Sequence, residues 1–285
     1  MAIEPAVVSP PTLAEAYTIA AGGAHRPVAG GTDLLVQLSG GIGPPPDQVL
    51  DLWRLDELRG IAVRDGTLEL GALTTFTEIR ASAACREHTP ALVGAAATIG
   101  AAQIQNRGTL GGNVMNASPA GDTLPVLLAL DAELVAGSDA GERTIPAAAF
   151  WPDYRRTALQ PDELLVRIRL PLVADRRQRF RKVGTRRAQA ISKVVLALTW
   201  LSDPGSDVWH DVRLALGSVA ATPIRAAAAE AALEGHRPTE STAERAVAAL
   251  VEELRPIDDV RSTAAYRREV AGRVLRRLVR DEGGW

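Results

Sequence analysis

Residues 98–125 read TIGAAQIQNRGTLGGNVMNASPAGDTLP and hold the densest group of glycine, asparagine, serine, threonine and aspartate residues in the chain. Flexible polar backbone loses much conformational entropy when it is ordered, so the fold must supply interactions that hold this stretch in place. The pattern that follows predicts an apolar helix over 124–130 and a strand over 132–136. A bound ligand is one candidate for what organises the loop.

Another glycine-rich stretch lies upstream, in RPVAGGTDLLVQLSGG at residues 26–41. It predicts a short strand, a turn at Gly30 and Gly31, and a helix that begins at Asp33 or Leu34. Consecutive glycines expose backbone N–H groups, and the positive end of the helix points to the same place, which suits a phosphate. The spacing matches neither a Rossmann nor a P-loop motif, so a strand, turn and helix without a ligand are the alternative.

Composition and charge narrow the class of protein. The chain has 285 residues, of which 46% are hydrophobic, which predicts a soluble globular protein of two domains. A net charge of −2 argues against a general nucleic-acid binder. Neither a signal peptide nor a membrane span is predicted, because the N-terminus is rich in proline and no apolar run is long enough. The four histidines are dispersed and predict no metal site.

The single cysteine, Cys85, excludes an internal disulfide and any cysteine-ligated zinc or iron–sulfur centre held by this chain alone. Such cysteine usage favours a reducing, cytoplasmic location.

The hydrophobic pattern changes near residue 175, where we expect a domain boundary. Strands and short helices alternate before it, including a hairpin around Asp65 and Gly66. After it, residues 193–203 and 207–220 predict two antiparallel strands joined through Pro204 and Gly205, and three helices follow. The predicted fold class is therefore α+β.

A basic run, RRQRFRKVGTRR, occupies residues 176–187 and contains seven lysine or arginine residues. It has three interpretations: a nucleic-acid contact, an exposed strand balanced by acidic residues elsewhere, or a surface that faces a partner or an acidic cofactor. The overall charge disfavours the first, and the sequence leaves the other two open.

The two glycine-rich stretches are part of a longer ordered set of motifs. The others are DYRRTALQPDELLVRIRLP at 153–171, FRKVGTRRAQAISKV at 180–194, ALGSVAATPIRAAAAEAALEG at 215–235 and AAYRREVAGRVLRRL at 264–278. In this order the set resembles the flavin-binding medium subunit of the molybdenum hydroxylases, the family of carbon monoxide dehydrogenase and xanthine dehydrogenase.

The resemblance implies a particular architecture. It is a two-lobed FAD-binding domain of the vanillyl-alcohol oxidase/p-cresol methylhydroxylase type over residues 1–175, with lobes at about 1–58 and 59–175. A smaller α+β domain with an antiparallel sheet and helices follows over 176–285.

The resemblance also implies the residues that contact non-covalent FAD. Around the pyrophosphate it places Val28, Ala29, Gly30, Gly31, Thr32, Asp33 and Leu34. Against the isoalloxazine it places Ile99, and around the phosphates and ribityl chain it places Thr109, Gly111, Gly112 and Asn113. Asp122 matches an acidic contact to the adenosine ribose, Leu165 an apolar contact near the isoalloxazine, and Lys182 a basic residue beside the flavin. Without flavin, Leu165 would be ordinary strand core and Lys182 a solvated surface charge.

The function implied by the resemblance is that of an electron-transfer flavoprotein subunit. In that family, substrate is oxidised at a molybdenum cofactor on a large subunit, and electrons pass through 2Fe–2S clusters on a small subunit to the flavin. An external acceptor then takes the electrons, and the usual assembly is a dimer of heterotrimers. The sequence offers no catalytic acid–base pair or nucleophile, so Asp33 and Asp122 are assigned hydrogen-bonding roles.

Two alternatives stand beside this interpretation. One is a free-standing FAD-dependent oxidoreductase of the same fold, with its own substrate pocket over the flavin. The other is a non-catalytic assembly subunit that has lost flavin, which the intact glycine motifs and Asp122 disfavour.

The absence of histidine from residues 28–34 predicts that FAD is held without a covalent bond. Denaturing the flavin-loaded chain in guanidinium and passing it through a desalting column should leave all yellow colour in the small-molecule fraction. Flavin that stays with the denatured polypeptide would contradict this prediction.

Overall fold

The computed structural model describes residues 5–41, 44–186, 189–203 and 205–285. Its strands, in chain order, are β1 (Ala6–Val8), β2 (Arg26–Val28), β3 (Gln48–Asp51), β4 (Ile61–Arg64), β5 (Thr67–Gly71), β6 (Glu133–Ser138), β7 (Gly141–Pro146), β8 (Leu164–Pro171), β9 (Arg177–Val183), β10 (Val194–Ser202), β11 (Trp209–Gly217) and β12 (Ile224–Arg225).

The helices, in chain order, are α1 (Leu13–Ala21), α2 (Thr32–Ser39), α3 (Phe76–Ala81), α4 (Ala83–His88), α5 (Pro90–Thr98), α6 (Ala102–Gln105), α7 (Leu110–Asn116), α8 (Leu124–Ala129), α9 (Ala147–Phe150), α10 (Ala227–Leu233), α11 (Glu240–Glu253) and α12 (Ala264–Gly283). A short 3-10 helix lies at Asp56–Leu58. Within the described ranges, no helix combines the length and the apolar character needed to cross a membrane.

The N-terminal segment forms a small parallel sheet in the order β1-β3-β2. Helix α1 begins after Thr12, whose side-chain hydroxyl accepts a hydrogen bond from the backbone N–H of Glu15 and so caps the helix. Helix α2 follows β2 directly and begins at Thr32, slightly earlier than the sequence predicts. This βα connection carries VAGGTDL at residues 28–34, which we call the first glycine motif.

A five-stranded antiparallel sheet comes next, in the order β4-β5-β8-β6-β7. The predicted hairpin between β4 and β5 is confirmed, because Asp65 and Gly66 adopt the positive φ angles that a tight hairpin turn needs. Helices α3 to α8 lie between β5 and β6 in the chain, and all of them except α6 share the largest hydrophobic core with this sheet. That core fixes the glycine-rich stretch at residues 98–125.

The C-terminal segment forms an antiparallel sheet in the order β12-β11-β10-β9, as the sequence predicts for β10 and β11. The predicted connection includes Pro204, which lies outside the described residues. Trp200 is fully buried and stacks on Trp209 with ring centroids 4.5 Å apart, in a core shared with α10, α11 and α12. Strand β10 also packs against α8, which brings the C-terminal sheet next to the glycine-rich stretch.

One buried side chain connects α12 to the segments around this junction. Arg267 is 4% exposed, and its guanidinium donates hydrogen bonds to the carbonyl oxygens of Lys193 and Ser218. It also contacts the carboxylate of Asp259 at 2.8 Å. These contacts connect the first turn of α12 to the residue before β10 and to the residue after β11.

Replacing Arg267 with alanine should lower the free energy of unfolding by about 3 kcal/mol, because two carbonyls and a carboxylate lose a buried charged partner. Urea denaturation of the wild type and R267A measures the difference. R273A on the same helix is the control, since Arg273 is mainly exposed and its ion pair with Glu269 is a surface pair, so its loss should cost less than about 1 kcal/mol. Equal midpoints for the two variants would contradict the stabilising role of Arg267.

Candidate functional site

One cavity of about 1730 Å³ lies where the N-terminal segment, the helical stretch and the C-terminal sheet meet. Its volume exceeds the roughly 300–1,000 Å³ that is typical of sites for drug-sized ligands. All fifteen residues assigned by the resemblance line it: Val28, Ala29, Gly30, Gly31, Thr32, Asp33, Leu34, Ile99, Thr109, Gly111, Gly112, Asn113, Asp122, Leu165 and Lys182. The structure therefore brings together residues that are far apart in the sequence.

The first glycine motif presents a row of free backbone donors. Within the described part of the chain, no backbone N–H from Ala29 to Leu34 has a hydrogen-bond acceptor. Gly31 caps α2 with a left-handed φ of 75°, which glycine adopts without steric cost. Free amides at a helix N-terminus attract anions, so this wall of the cavity suits a phosphate group.

Close packing within the chain also requires glycine in this motif and in a second glycine motif, RGTLGGN at residues 107–113. A Cβ atom on Gly30 would lie 1.7 Å from the carbonyl oxygen of Arg107, and one on Gly111 would lie 2.5 Å from that of Ala72. The guanidinium of Arg107 stacks on the ring of Trp53, just after β3, at 3.7 Å, which holds the second motif against the N-terminal segment. The sequence explains these glycines only by access for a ligand, whereas the structure adds close packing of backbone on backbone.

The second glycine motif has already used most of its backbone donors. The N–H groups of Leu110 and Gly111 donate at 2.9 Å to the carbonyls of Thr74 and Ala72. The N–H of Gly112 donates to the hydroxyl of Thr109, which caps α7. This motif therefore shapes the cavity and offers side chains, while the first motif supplies the amides that are free to bind an anion.

Asp122 and Lys182 form a buried ion pair at the edge of the cavity. The ammonium nitrogen of Lys182 lies 2.5 Å from Oδ2 of Asp122 and 3.2 Å from the carbonyl oxygen of Thr98, next to Ile99. The two side chains are 9% and 8% exposed, so Lys182 is not the solvated surface charge of the alternative interpretation. The contact places Asp122 beside Lys182, which the resemblance assigns to the flavin. The assignment of Asp122 to the adenosine ribose stays a prediction.

The other carboxylate oxygen of Asp122 is an available acceptor. Oδ1 is buried and forms no hydrogen bond with the described residues. Burial raises the pKa of Asp122 above its ordinary value, and the Lys182 ammonium and the Ser192 hydroxyl oppose that rise. An unsatisfied buried oxygen is costly, so this atom fits a hydroxyl or N–H donor from a bound cofactor.

The apolar contacts of the cavity come from side chains with a second role. Leu165 in β8 is 5% exposed and belongs to the largest hydrophobic core, while it also lines the cavity. Ile99 ends α5 and packs partly against the same core. Core packing thus explains Leu165 in part, and a planar ring system would find an apolar wall here.

A polar chain that the sequence analysis does not identify runs along the opposite wall. Arg155 donates to Oδ1 of Asn116 at 2.9 Å, and the amide of Asn116 donates to Oδ1 of Asp33 at 3.1 Å. Burial raises the pKa of Asp33 above its ordinary value, and the Arg155 guanidinium opposes the rise. These three residues lie on separate segments, so no local spacing in the sequence indicates their contact.

Most described members of the basic run are matched by acidic groups. Arg176 contacts Asp211, Arg179 lies 2.6 Å from Glu282, and Lys182 pairs with Asp122. Arg187 and Ala188 lie outside the described residues. The run is thus a strand whose charges are largely balanced, with Lys182 turned toward the cavity.

Comparison with protein families divides the chain into two matched regions. Residues 2–173 match the family described as the FAD binding domain in molybdopterin dehydrogenase. Residues 179–281 match the family described as the CO dehydrogenase flavoprotein C-terminal domain.

Individual relatives are similar over nearly their whole length. The nicotinate dehydrogenase FAD-subunit of Eubacterium barkeri is 32% identical over 90% of this chain and 89% of its own. A solved carbon monoxide dehydrogenase from Hydrogenophaga pseudoflava, which lacks the Mo-pyranopterin moiety, contains a chain that is 29% identical with a TM-score of 0.91 over 96% of this chain and 95% of that one. Quinoline 2-oxidoreductase from Pseudomonas putida 86 contains one that is 27% identical with a TM-score of 0.92 over 99% and 97%.

The raised pKa of Asp33 gives a prediction for the FAD-free protein. The folded state holds the Asp33 proton more tightly than the unfolded state, so the ionised carboxylate destabilises the fold at neutral pH. This penalty disappears as the pH falls toward the unfolded-state pKa of about 3.9. Asp33→Asn should therefore raise the melting temperature at pH 7 by roughly 1–3 °C, and the gain should shrink toward pH 4.

Differential scanning fluorimetry across this pH range measures the effect. Asp162→Asn is the matched control, because Asp162 is exposed and should change the melting temperature little. A lower melting temperature for D33N at pH 7 would mean that the Asp33 charge stabilises the start of α2 instead.

Proposed function

Because this chain belongs to the family of FAD-binding molybdopterin dehydrogenase subunits, we propose that it is the electron-transfer flavoprotein subunit of a molybdenum-containing hydroxylase or dehydrogenase. It holds FAD, receives electrons from 2Fe–2S clusters on a small partner subunit, and delivers them to an external acceptor. Substrate is oxidised at a molybdenum cofactor on a large partner subunit. The chain is thus part of an oxidoreductase without contacting the oxidised substrate.

The observation that carries this proposal is the meeting of all fifteen assigned residues around one cavity. The cavity offers free amides at Ala29 to Leu34 and an unsatisfied buried carboxylate oxygen at Asp122. Amides suit the pyrophosphate, and the carboxylate oxygen suits a hydroxyl or N–H of the cofactor. The residues present therefore fit FAD.

Different groups of cavity residues bind different parts of the cofactor. The first glycine motif binds the pyrophosphate through its amides, and Ile99 and Leu165 give the ring system an apolar surface. Lys182, whose ammonium contacts the carbonyl oxygen of Thr98 next to Ile99, would place a positive charge beside the ring system of a bound flavin and so favour its uptake of electrons. Bound flavin supplies the redox chemistry, so the chain itself needs no catalytic acid, base or nucleophile.

The partners follow from the chemistry that this chain lacks. One cysteine cannot hold a 2Fe–2S cluster, so the clusters must lie on another chain. The relatives are named for different substrates, among them nicotinate and quinoline, which supports a substrate site outside this conserved scaffold. We further propose a dimer of heterotrimers, a cytoplasmic location and non-covalent FAD.

The proposed domain boundary lies near residue 175, with lobes of the first domain at about 1–58 and 59–175. Support comes from the gap between the two family matches, at residues 173 and 179. The separate small parallel sheet before residue 58 supports the first lobe.

A free-standing FAD oxidoreductase of the same fold is the alternative function. Relatives that are FAD subunits or medium chains of dehydrogenases favour the subunit instead. The alternative would require substrate oxidation by the isolated chain.

Native purification of the tagged chain from its own host tests the proposal. We expect FAD together with molybdenum and about four irons per flavin, as two 2Fe–2S clusters require. The visible spectrum and metal analysis of the co-eluting proteins give these ratios. A chain that elutes alone with FAD and no metals would contradict the subunit role and favour the free-standing oxidoreductase.

A further inference from the structure

We infer that Arg155 is the cationic contact of this chain for the diphosphate of FAD, acting together with the free amides of Ala29 to Leu34. The inference rests on the proposed function and names a residue that the glycine motifs do not contain. Arg155 lies on the loop between β7 and β8 and lines the same cavity. It belongs to none of the fifteen residues assigned from the sequence.

The negative charge of Asp33 next to the free amides requires a nearby cation if a diphosphate is to bind there. Asp33 lies in the first turn of α2, so its carboxylate stands next to the amides that would bind the diphosphate. Two further negative charges at this place would be repelled unless a cation is near. Arg155 reaches Asp33 through Asn116 in two hydrogen bonds of 2.9 and 3.1 Å, and its positive charge opposes the rise in the pKa of Asp33 that burial causes.

The guanidinium of Arg155 has donors that are free to bind a phosphate. Its Nη1 donates to Asn116 and its Nε lies 3.4 Å from the hydroxyl of Tyr154. Nη2 has no acceptor in the described part of the chain. Arginine presents several donors in one plane, so Nη2 can bind a phosphate while Nη1 and Nε hold the guanidinium in place.

The backbone of Arg155 has an unusual conformation. Its φ of 51° lies in the left-handed region, where a residue with a Cβ atom is strained. The turn that carries it is closed by hydrogen bonds between Asp153 and Arg156. Glycine or asparagine would fit this turn more easily, so the turn gives no reason for an arginine here, whereas the side-chain contact with Asn116 does.

Of the four other described cations that line the cavity, three already have partners and the fourth precedes the free amides. The described ones are Arg26, Lys182, Arg255 and Arg261. Lys182 contacts Asp122, Arg261 lies 3.7 Å from Asp259, and Arg255 donates to backbone carbonyls of its own helix end. Arg26 stands at the first residue of β2, before the free amides begin.

The test is a fluorescence titration of the full-length FAD-free chain with FAD, at low and high salt. R155Q should weaken FAD binding by roughly tenfold to a hundredfold at low salt. R155K, which keeps the charge, should recover part of the affinity. The gap between the wild type and R155Q should narrow at high salt, because screening weakens a charge contact but not a merely structural one.

Two further variants keep the result interpretable. R156Q removes the same charge from the next residue, which is exposed and does not line the cavity, and should bind FAD like the wild type. R155N should also bind FAD weakly, while its melting temperature without FAD should be no lower than that of the wild type, because asparagine tolerates the left-handed conformation.

Two outcomes would overturn the inference. If the wild type binds FAD and R155Q and R155N bind it equally well, Arg155 does not contact the diphosphate, although the proposed function stands. If the wild type fails to bind FAD under any condition, the proposed function and this inference both fail.

Discussion

The close approach of the first glycine motif to the second determines the shape of the site. Gly30 lies so near the carbonyl of Arg107 that no side chain fits between them, and Trp53 stacks on the Arg107 guanidinium beside this contact. The second motif is in turn fixed by hydrogen bonds from its amides to Ala72 and Thr74. Most donors of the second motif are used up in this way, whereas the amides of Ala29 to Leu34 in the first motif are free to meet an anion.

A second constraint joins the C-terminal sheet to this frame. Lys182 in β9 and Asp122 in the glycine-rich stretch form a buried pair in direct contact, and α8 packs against β10 behind it. Buried pairs are costly unless all their atoms are satisfied, yet Oδ1 of Asp122 has no partner. This oxygen connects the stability of the junction with the chemistry of the ligand, since a donor from the cofactor would satisfy it.

Local patterns in the sequence predicted much of the fold. The turn residues Asp65 and Gly66 indicated the first hairpin, and the α+β class and the family resemblance are confirmed. Element ends were less certain: α8 ends at Ala129 and β6 begins at Glu133, each one residue from its predicted limit. Helix α2 begins at Thr32 because the left-handed Gly31 caps it, which hydrophobic periodicity does not reveal.

The fifteen assigned residues came from the resemblance, and the structure brings them around one cavity. What the sequence did not indicate depends on contacts between distant segments. The saturation of the second motif by Ala72 and Thr74, the Lys182–Asp122 pair, and the chain from Arg155 to Asp33 are all of this kind. Spacing along the sequence carries no information on such contacts until the fold is known.

The most direct test of the central claim is an experimental structure of this chain loaded with FAD. The account predicts one FAD in the cavity, with its diphosphate on the amides of Ala29 to Leu34 and a donor of the cofactor within hydrogen-bond distance of Oδ1 of Asp122. FAD bound elsewhere, or a cavity in which these amides and this oxygen stay unpaired, would contradict it.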